Sequence, residues 1–164
     1  MRKLFYCLSC LLFLTPAISQ KITIVNYEGK KFQVLNNTSQ GRVKWGGYEE
    51  IGKSVRSDTN GISNTTNIVK AVGNNPGYQN KAYAAILCDT STAGGFSDWY
   101  LPAKNESDMI HINFKKLGLD EKMTLWTSTE ASGTQAVSKY LYSGAFYNSP
   151  KVDDNHYVCI RKAD

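Results

Sequence analysis

At 164 residues, with 41% hydrophobic and 20% charged residues, the chain is long enough for one globular domain with a real core and too short for two comfortable ones. Its formal charge of +5 is not gathered into any long Lys/Arg block, which sets aside a nucleic-acid tail. Beyond the N-terminus no apolar run approaches the roughly 20 residues that a membrane helix needs, so no membrane span is expected.

The N-terminus is of a different kind. Arg2 and Lys3 precede the apolar run Leu4 to Leu14, and Thr15-Pro16-Ala17-Ile18-Ser19 ends in the small-x-small pattern of a signal-peptidase site. Residues 1–19 are therefore expected to be a signal peptide, leaving residues 20–164 as a single exported domain, secreted, periplasmic or at the cell surface. Cys10 as a lipid-attachment cysteine is the weaker alternative, because the apolar run continues past it. Loss of Arg2 and Lys3 leaves 17 basic against 14 acidic residues, a charge of +3 that permits an anionic partner without demanding one.

Two β-branched and aromatic runs, Lys21 to Asn26 and Lys31 to Leu35, flank Tyr27-Glu28-Gly29-Lys30 and predict a hairpin. Next come Trp45 against Gly46-Gly47 and a turn-rich polar stretch from Ser57 to Thr66. Asn64 or Thr65 is the expected N-cap of a helix carrying Ile68, Val69 and Val72, which stops at Gly73 before the loop Asn74-Asn75-Pro76-Gly77. A short apolar helix from Lys81 to Cys88 should be nearly buried. The stretch Gly94-Gly95-Phe96-Ser97-Asp98-Trp99-Tyr100-Leu101-Pro102 is a junction, with two glycines for a turn, alternate side chains to bury, and a proline suited to a first helical turn. The helix it starts is expected over Ala103 to Leu117, with Ile110, Phe114 and Leu117 on one stripe and Gly118 as the stop. Thr124 to Thr129, Gln135 to Tyr142, Ala145 to Asn148 and His156 to Arg161 read as four strands of one antiparallel sheet, which makes the class α+β.

Cleavage would leave Cys88 and Cys159 as the only cysteines. In an oxidising compartment an even count reads first as a disulfide, ahead of a zinc site or a catalytic thiol. The common enzyme signatures are missing: no G-x-S-x-G elbow, no H-E-x-x-H, no phosphate-binding G-x-x-x-x-G-K-[ST]. Glu106 and Asp108 are expected to favour the dipole at a helix start. No cofactor and no dedicated metal site are expected, although Asp58-x-Asn60-Gly61 and Asp153-Asp154-Asn155 keep a weak calcium site open. Aromatic residues crowd the C-terminal part. Tyr140 and Tyr142 are expected on one face of a strand with Tyr147 nearby, where rings could stack on sugars, while Lys139 and Lys151 could hold sulfate or carboxylate groups.

In order along the chain, Trp45, Asp58-Thr59-Asn60-Gly61 with Asn64-Thr65, Ala84-Ala85-Ile86-Leu87-Cys88, Gly94-Gly95-Phe96-Ser97-Asp98-Trp99-Tyr100-Leu101-Pro102, Trp126-Thr127-Ser128-Thr129-Glu130 and Val158-Cys159-Ile160-Arg161 form a pattern. It resembles the Lcl C-terminal domain family, named from a bacterial collagen-like adhesin, over about Lys44 to Lys162. The resemblance implies a C-type-lectin-like fold with a small, mostly antiparallel sheet, flanking helices and a long loop region. It implies a Cys88–Cys159 bridge from a helix to the last strand. It also implies that Trp45, Asn64, Gly95, Asp98, Trp99, Pro102, Trp126 and Arg161 are framework. Glu106-Ser107 departs from the family's Glu-Leu, and the calcium-dependent sugar motifs of vertebrate lectins are missing. The function implied is a non-catalytic recognition module that binds a glycan or another surface polymer, sulfated chains included, with homo-oligomer formation left open. A structural or protein-binding subunit is the first alternative. An enzyme akin to the formylglycine-generating oxidases, which resemble an elaborated version of this fold and use an active cysteine pair, is the other.

Overall fold

The computed structural model describes residues 21–73 and 82–163. The expected signal peptide, the loop from Asn74 to Gly77 and the Lys81 start of the second helix lie outside the described residues.

Strands β1 (Lys21–Tyr27) and β2 (Lys30–Asn36) form the expected hairpin, registered from Tyr27 opposite Lys30 to Lys21 opposite Asn36. Glu28 and Gly29 turn the chain with φ of 49° and 72°, the left-handed pair that matches the twist of a two-residue hairpin. The other edge of β2 is taken by β6 (Val158–Ala163), antiparallel, with Leu35 opposite Cys159 and Val34 opposite Ile160. This departs from the single C-terminal sheet read from sequence. Val158, Cys159 and Ile160 are all buried, with Cys159 in an apolar cluster with Leu35, Trp45 and Trp126, and Val158 and Ile160 in a second cluster with Val34, Phe32 and Leu125. A strand that is apolar on both faces belongs between two cores, and the terminal sheet is what separates them.

Helix α1 (Gly61–Val72) begins a turn earlier than expected. Its N-cap is Asn60, whose side chain accepts from the Ser63 N–H at 3.0 Å. Asn64 instead lies within the helix, fully buried, donating to the Ser57 carbonyl at 2.7 Å. The start is fixed by close packing: a Cβ at Gly61 would lie 2.7 Å from the Leu101 carbonyl oxygen and 2.8 Å from the Ala103 nitrogen. The helix ends at Gly73, as the sequence indicates. Helix α2 (Ala84–Asp89) buries Ala84, Ala85 and Cys88, and Cys88 is bonded to Cys159 of β6, bearing out the disulfide.

Helix α3 (Ser107–Leu117) starts four residues later than the proline suggested and stops at the left-handed Gly118. The intervening residues form a turn because the Glu106 carboxylate folds back onto the Ala103 N–H at 2.8 Å. Met109, Ile110 and Leu117 are buried, with Phe114 half-buried beside them.

Strands β3 (Thr124–Glu130), β4 (Gln135–Tyr140) and β5 (Phe146–Pro150) form a second antiparallel sheet in that order. An irregularity between Trp126 and Glu130 breaks the register with β4, and there the Ser128 N–H turns to the Pro102 carbonyl at 2.8 Å. The chain is thus α+β, with two three-stranded antiparallel sheets and three α-helices among the described residues. No described helix is long and apolar enough to cross a membrane.

Candidate functional site

The framework residues interlock. Trp45, Trp99 and Trp126 are buried, and their indole N–H groups donate to the carbonyls of Thr127 (2.7 Å), Ala93 (3.0 Å) and Val43 (2.8 Å). Each large apolar body is therefore sunk without an orphaned donor. Gly95 has a φ of 79°, and Pro102 is buried. Asp98 meets Arg161 in a two-point pair, at 2.6 Å to Nε and 3.0 Å to Nη2, and the guanidinium lies 3.8 Å over the Phe96 ring. These hydrogen bonds from Arg161 hold the Asp98 carboxyl below its ordinary range. The pair ties the junction to the last strand.

Two carboxylates to which sequence reading gave no role in the loops organise them around this framework. Glu106, expected as a dipole partner, accepts from the N–H groups of Ala103 and Gly61 at 2.8 and 3.0 Å and from the Tyr100 hydroxyl at 3.2 Å. Burial dominates, so its pKa is raised despite those bonds. Glu130, the end of the Trp126 motif, has no exposed side-chain surface. Burial pushes its carboxyl up, but the Ile51 N–H at 2.9 Å, Lys151 at 2.6 Å and the Gly52 N–H at 2.8 Å outweigh it, so its pKa is lowered overall. The signal available in sequence was the position of Glu130, an acid ending an otherwise buried strand.

The tyrosines come together, though not as drawn from sequence. Tyr142 lies past the end of β4, in the turn that follows, so it is not a strand neighbour of Tyr140. Tyr140 nevertheless contacts Tyr142 and Tyr147 with ring centroids 6.2 and 6.5 Å apart. Tyr142 is 66% exposed and Tyr147 53% exposed, so two rings face solvent around a half-buried third.

The two lysines do not join them. Lys139 is buried, with Nζ on Asp108 and lying 3.8 Å over the Phe146 ring. Lys151 is buried too, donating to Glu130 and to the Glu49 carbonyl at 2.8 Å, with the Trp45 ring 4.8 Å away. Both ammonium groups are held inside by carboxylates, which corrects their placement as contacts for an anionic ligand. An ammonium withdrawn from water needs such a partner, and each has one. Asp108 accordingly serves Lys139 more directly than the helix dipole.

The oxygen-rich stretches read for calcium are engaged elsewhere. Asp58 pairs with Lys104 at 3.3 Å, Asn60 caps α1, and Asp154 pairs with Lys44 at 3.1 Å. Among the described residues no group of three or more His, Cys, Asp or Glu side chains is placed to hold a metal ion. His111 bonds the Leu141 carbonyl at 2.8 Å, and burial lowers the pKa of His156. Compared with known proteins, the chain matches no family model and no curated sequence.

Proposed function

We propose that this protein is a secreted, non-catalytic recognition module of C-type-lectin-like fold, related to the Lcl C-terminal domain family, that binds glycan through Tyr140, Tyr142 and Tyr147. The observation that carries this is the exposure of Tyr142 and Tyr147 in ring contact with Tyr140. Large rings that face water, tilted against one another, present flat apolar faces beside hydroxyls, the chemistry that takes the C–H face of a sugar. The internal pairing of Lys139 and Lys151 favours a ligand recognised by stacking over one recognised by sulfate. The fold reading is supported by the hairpin pairing with the last strand, the α2-to-β6 disulfide and the burial of the tryptophan motifs.

A glycan array run in calcium and in chelator tests this, with Tyr142→Ala and Tyr147→Ala beside the parent. The expected result is binding that survives chelation and falls about tenfold or more on either truncation, as for other aromatic hot spots. A blank array refutes the proposal. A stable protein complex indifferent to glycan would replace it with the protein-partner role, since exposed tyrosines also serve that purpose.

A further inference from the structure

Away from the tyrosines, two recesses meet at Lys162 on the terminal sheet. One, of about 250 Å³, lies under the first hairpin between Tyr27, Glu28, Lys30, Asn105 and Glu106. The other, of about 350 Å³, lies between α1 and the junction, with Thr66, Asp89, Ser97, Asp98 and Arg161 in its walls. Lys162 lines both and is exposed, and Tyr100 in the second wall donates to Glu106 in the first.

The chemistry of the two is alike. Each sets carboxylates beside cationic side chains without a net excess of either charge; in the second the Asp98–Arg161 pair is already closed, and the Thr66 and Ser97 hydroxyls there and the Asn105 amide in the first add donors and acceptors. Neighbouring hydroxyls on a sugar ring donate and accept in that alternation, whereas a sulfated or phosphorylated chain would meet acids in both walls. Each also has an apolar surface: Tyr27 in the first, and in the second Ile62, which is 44% exposed. Either recess lies near or below the small end of drug-sized pockets, roughly 300–1,000 Å³, a size for one ring.

The geometry points to a groove for an uncharged oligosaccharide, one sugar ring in each recess and the link between them passing Lys162. This deepens and rests on the glycan-binding proposal, and places a second contact region apart from the tyrosines.

Thr66 and Asn105 are exposed, so Thr66→Trp and Asn105→Trp each fill one recess without entering a core. The test is calorimetric titration of the protein and both variants with neutral hexasaccharides of glucose, mannose and N-acetylglucosamine, with a heparin hexasaccharide beside them, at low and high salt. The expected result is that at least one neutral hexasaccharide binds with an affinity changed less than twofold by salt and lowered at least tenfold in both variants. Binding that both tryptophans leave unchanged, while Tyr142→Ala and Tyr147→Ala abolish it, overturns the groove and leaves the glycan proposal standing. Binding of heparin alone, weakening with salt, overturns the uncharged ligand class. No titration with any probe, together with a blank array, overturns both.

Discussion

Replacing Glu130 with alanine would take the acceptor from four donors at once. The Ile51 and Gly52 N–H groups, the Lys151 ammonium and the partly exposed Arg56 guanidinium converge on this one carboxylate, and in the Glu130–Lys151 pair neither side chain is more than 1% exposed. Breaking a buried ion pair by removing one member typically costs about 3–5 kcal/mol, since the remaining charge is left desolvated. Lys151 keeps the Glu49 carbonyl and the Trp45 ring, which places the expected loss near the middle of that range, about 4 kcal/mol. Against a typical domain stability of about 5–15 kcal/mol that is a large fraction. Urea unfolding measures it as a fall in the midpoint at constant slope, of about 2–3 M for a slope near 1.5 kcal/mol/M. Lys151→Met keeps a chain over Trp45 and removes the charge, so Glu130→Ala with Lys151→Met should lose at least 2 kcal/mol less than the two single losses added together. A single loss under 1 kcal/mol, or strict additivity in the double variant, would refute the view of Glu130 as the anchor of the loop at residues 49–52.

The remaining expectations are smaller in scope. Replacing both Cys88 and Cys159 with alanine opens a link across 71 residues and should lower stability by about 4 kcal/mol in the chain-entropy model, read from denaturant midpoints; a change under 1 kcal/mol would contradict it. The raised pKa of Glu106 means that its contribution is fully present below the unfolded carboxyl pKa and is lost as pH rises through its folded value. Glu106→Gln, whose amide can still accept from both N–H groups and donate to Tyr100, should therefore gain in Tm on the parent between acidic and neutral pH; a constant gap would speak against it. Asp98 behaves oppositely: its lowered pKa gives stability above the unfolded carboxyl pKa that disappears as pH falls, and Asp98→Asn should flatten the acid limb of a Tm-against-pH curve. At Gly144 φ is +71° and an added Cβ would lie 2.6 Å from His111 Nε2, so Gly144→Ala should cost roughly 1–3 kcal/mol in thermal unfolding, and a neutral substitution would show that the turn shifts freely.

What sequence made legible was local. The first hairpin announced itself through Glu28-Gly29 between two β-rich runs, and Gly73 and Gly118 marked two helix ends because a positive φ there needs no neighbour to explain it. The disulfide followed from the cysteine count. What stayed hidden depends on contacts between distant residues. Asn60, Asn64 and Thr65 are all competent caps, and the choice among them is made by the backbone at Leu101 and Ala103 pressing on Gly61. The partner of the last strand was also unreadable by periodicity, though its unbroken Val158-Cys159-Ile160 run was a hint that neither face would meet solvent. Of the candidate contacts, the clustering of Tyr140, Tyr142 and Tyr147 could be anticipated from aromatic density alone. Lys139 and Lys151 were misplaced because a lysine's ordinary preference for solvent says nothing of an acid waiting on a neighbouring element.

The position of β6 between β2 and Tyr100 also makes the fold depend on pairings between residues distant in sequence. Both apolar clusters borrow residues from this strand, and so does the disulfide. The second edge of β2 is closed by a strand more than a hundred residues further along the chain, a pairing of the slow, long-range kind. Loss of this one strand would take buried side chains from both clusters at once, Cys159 from one and Val158 and Ile160 from the other.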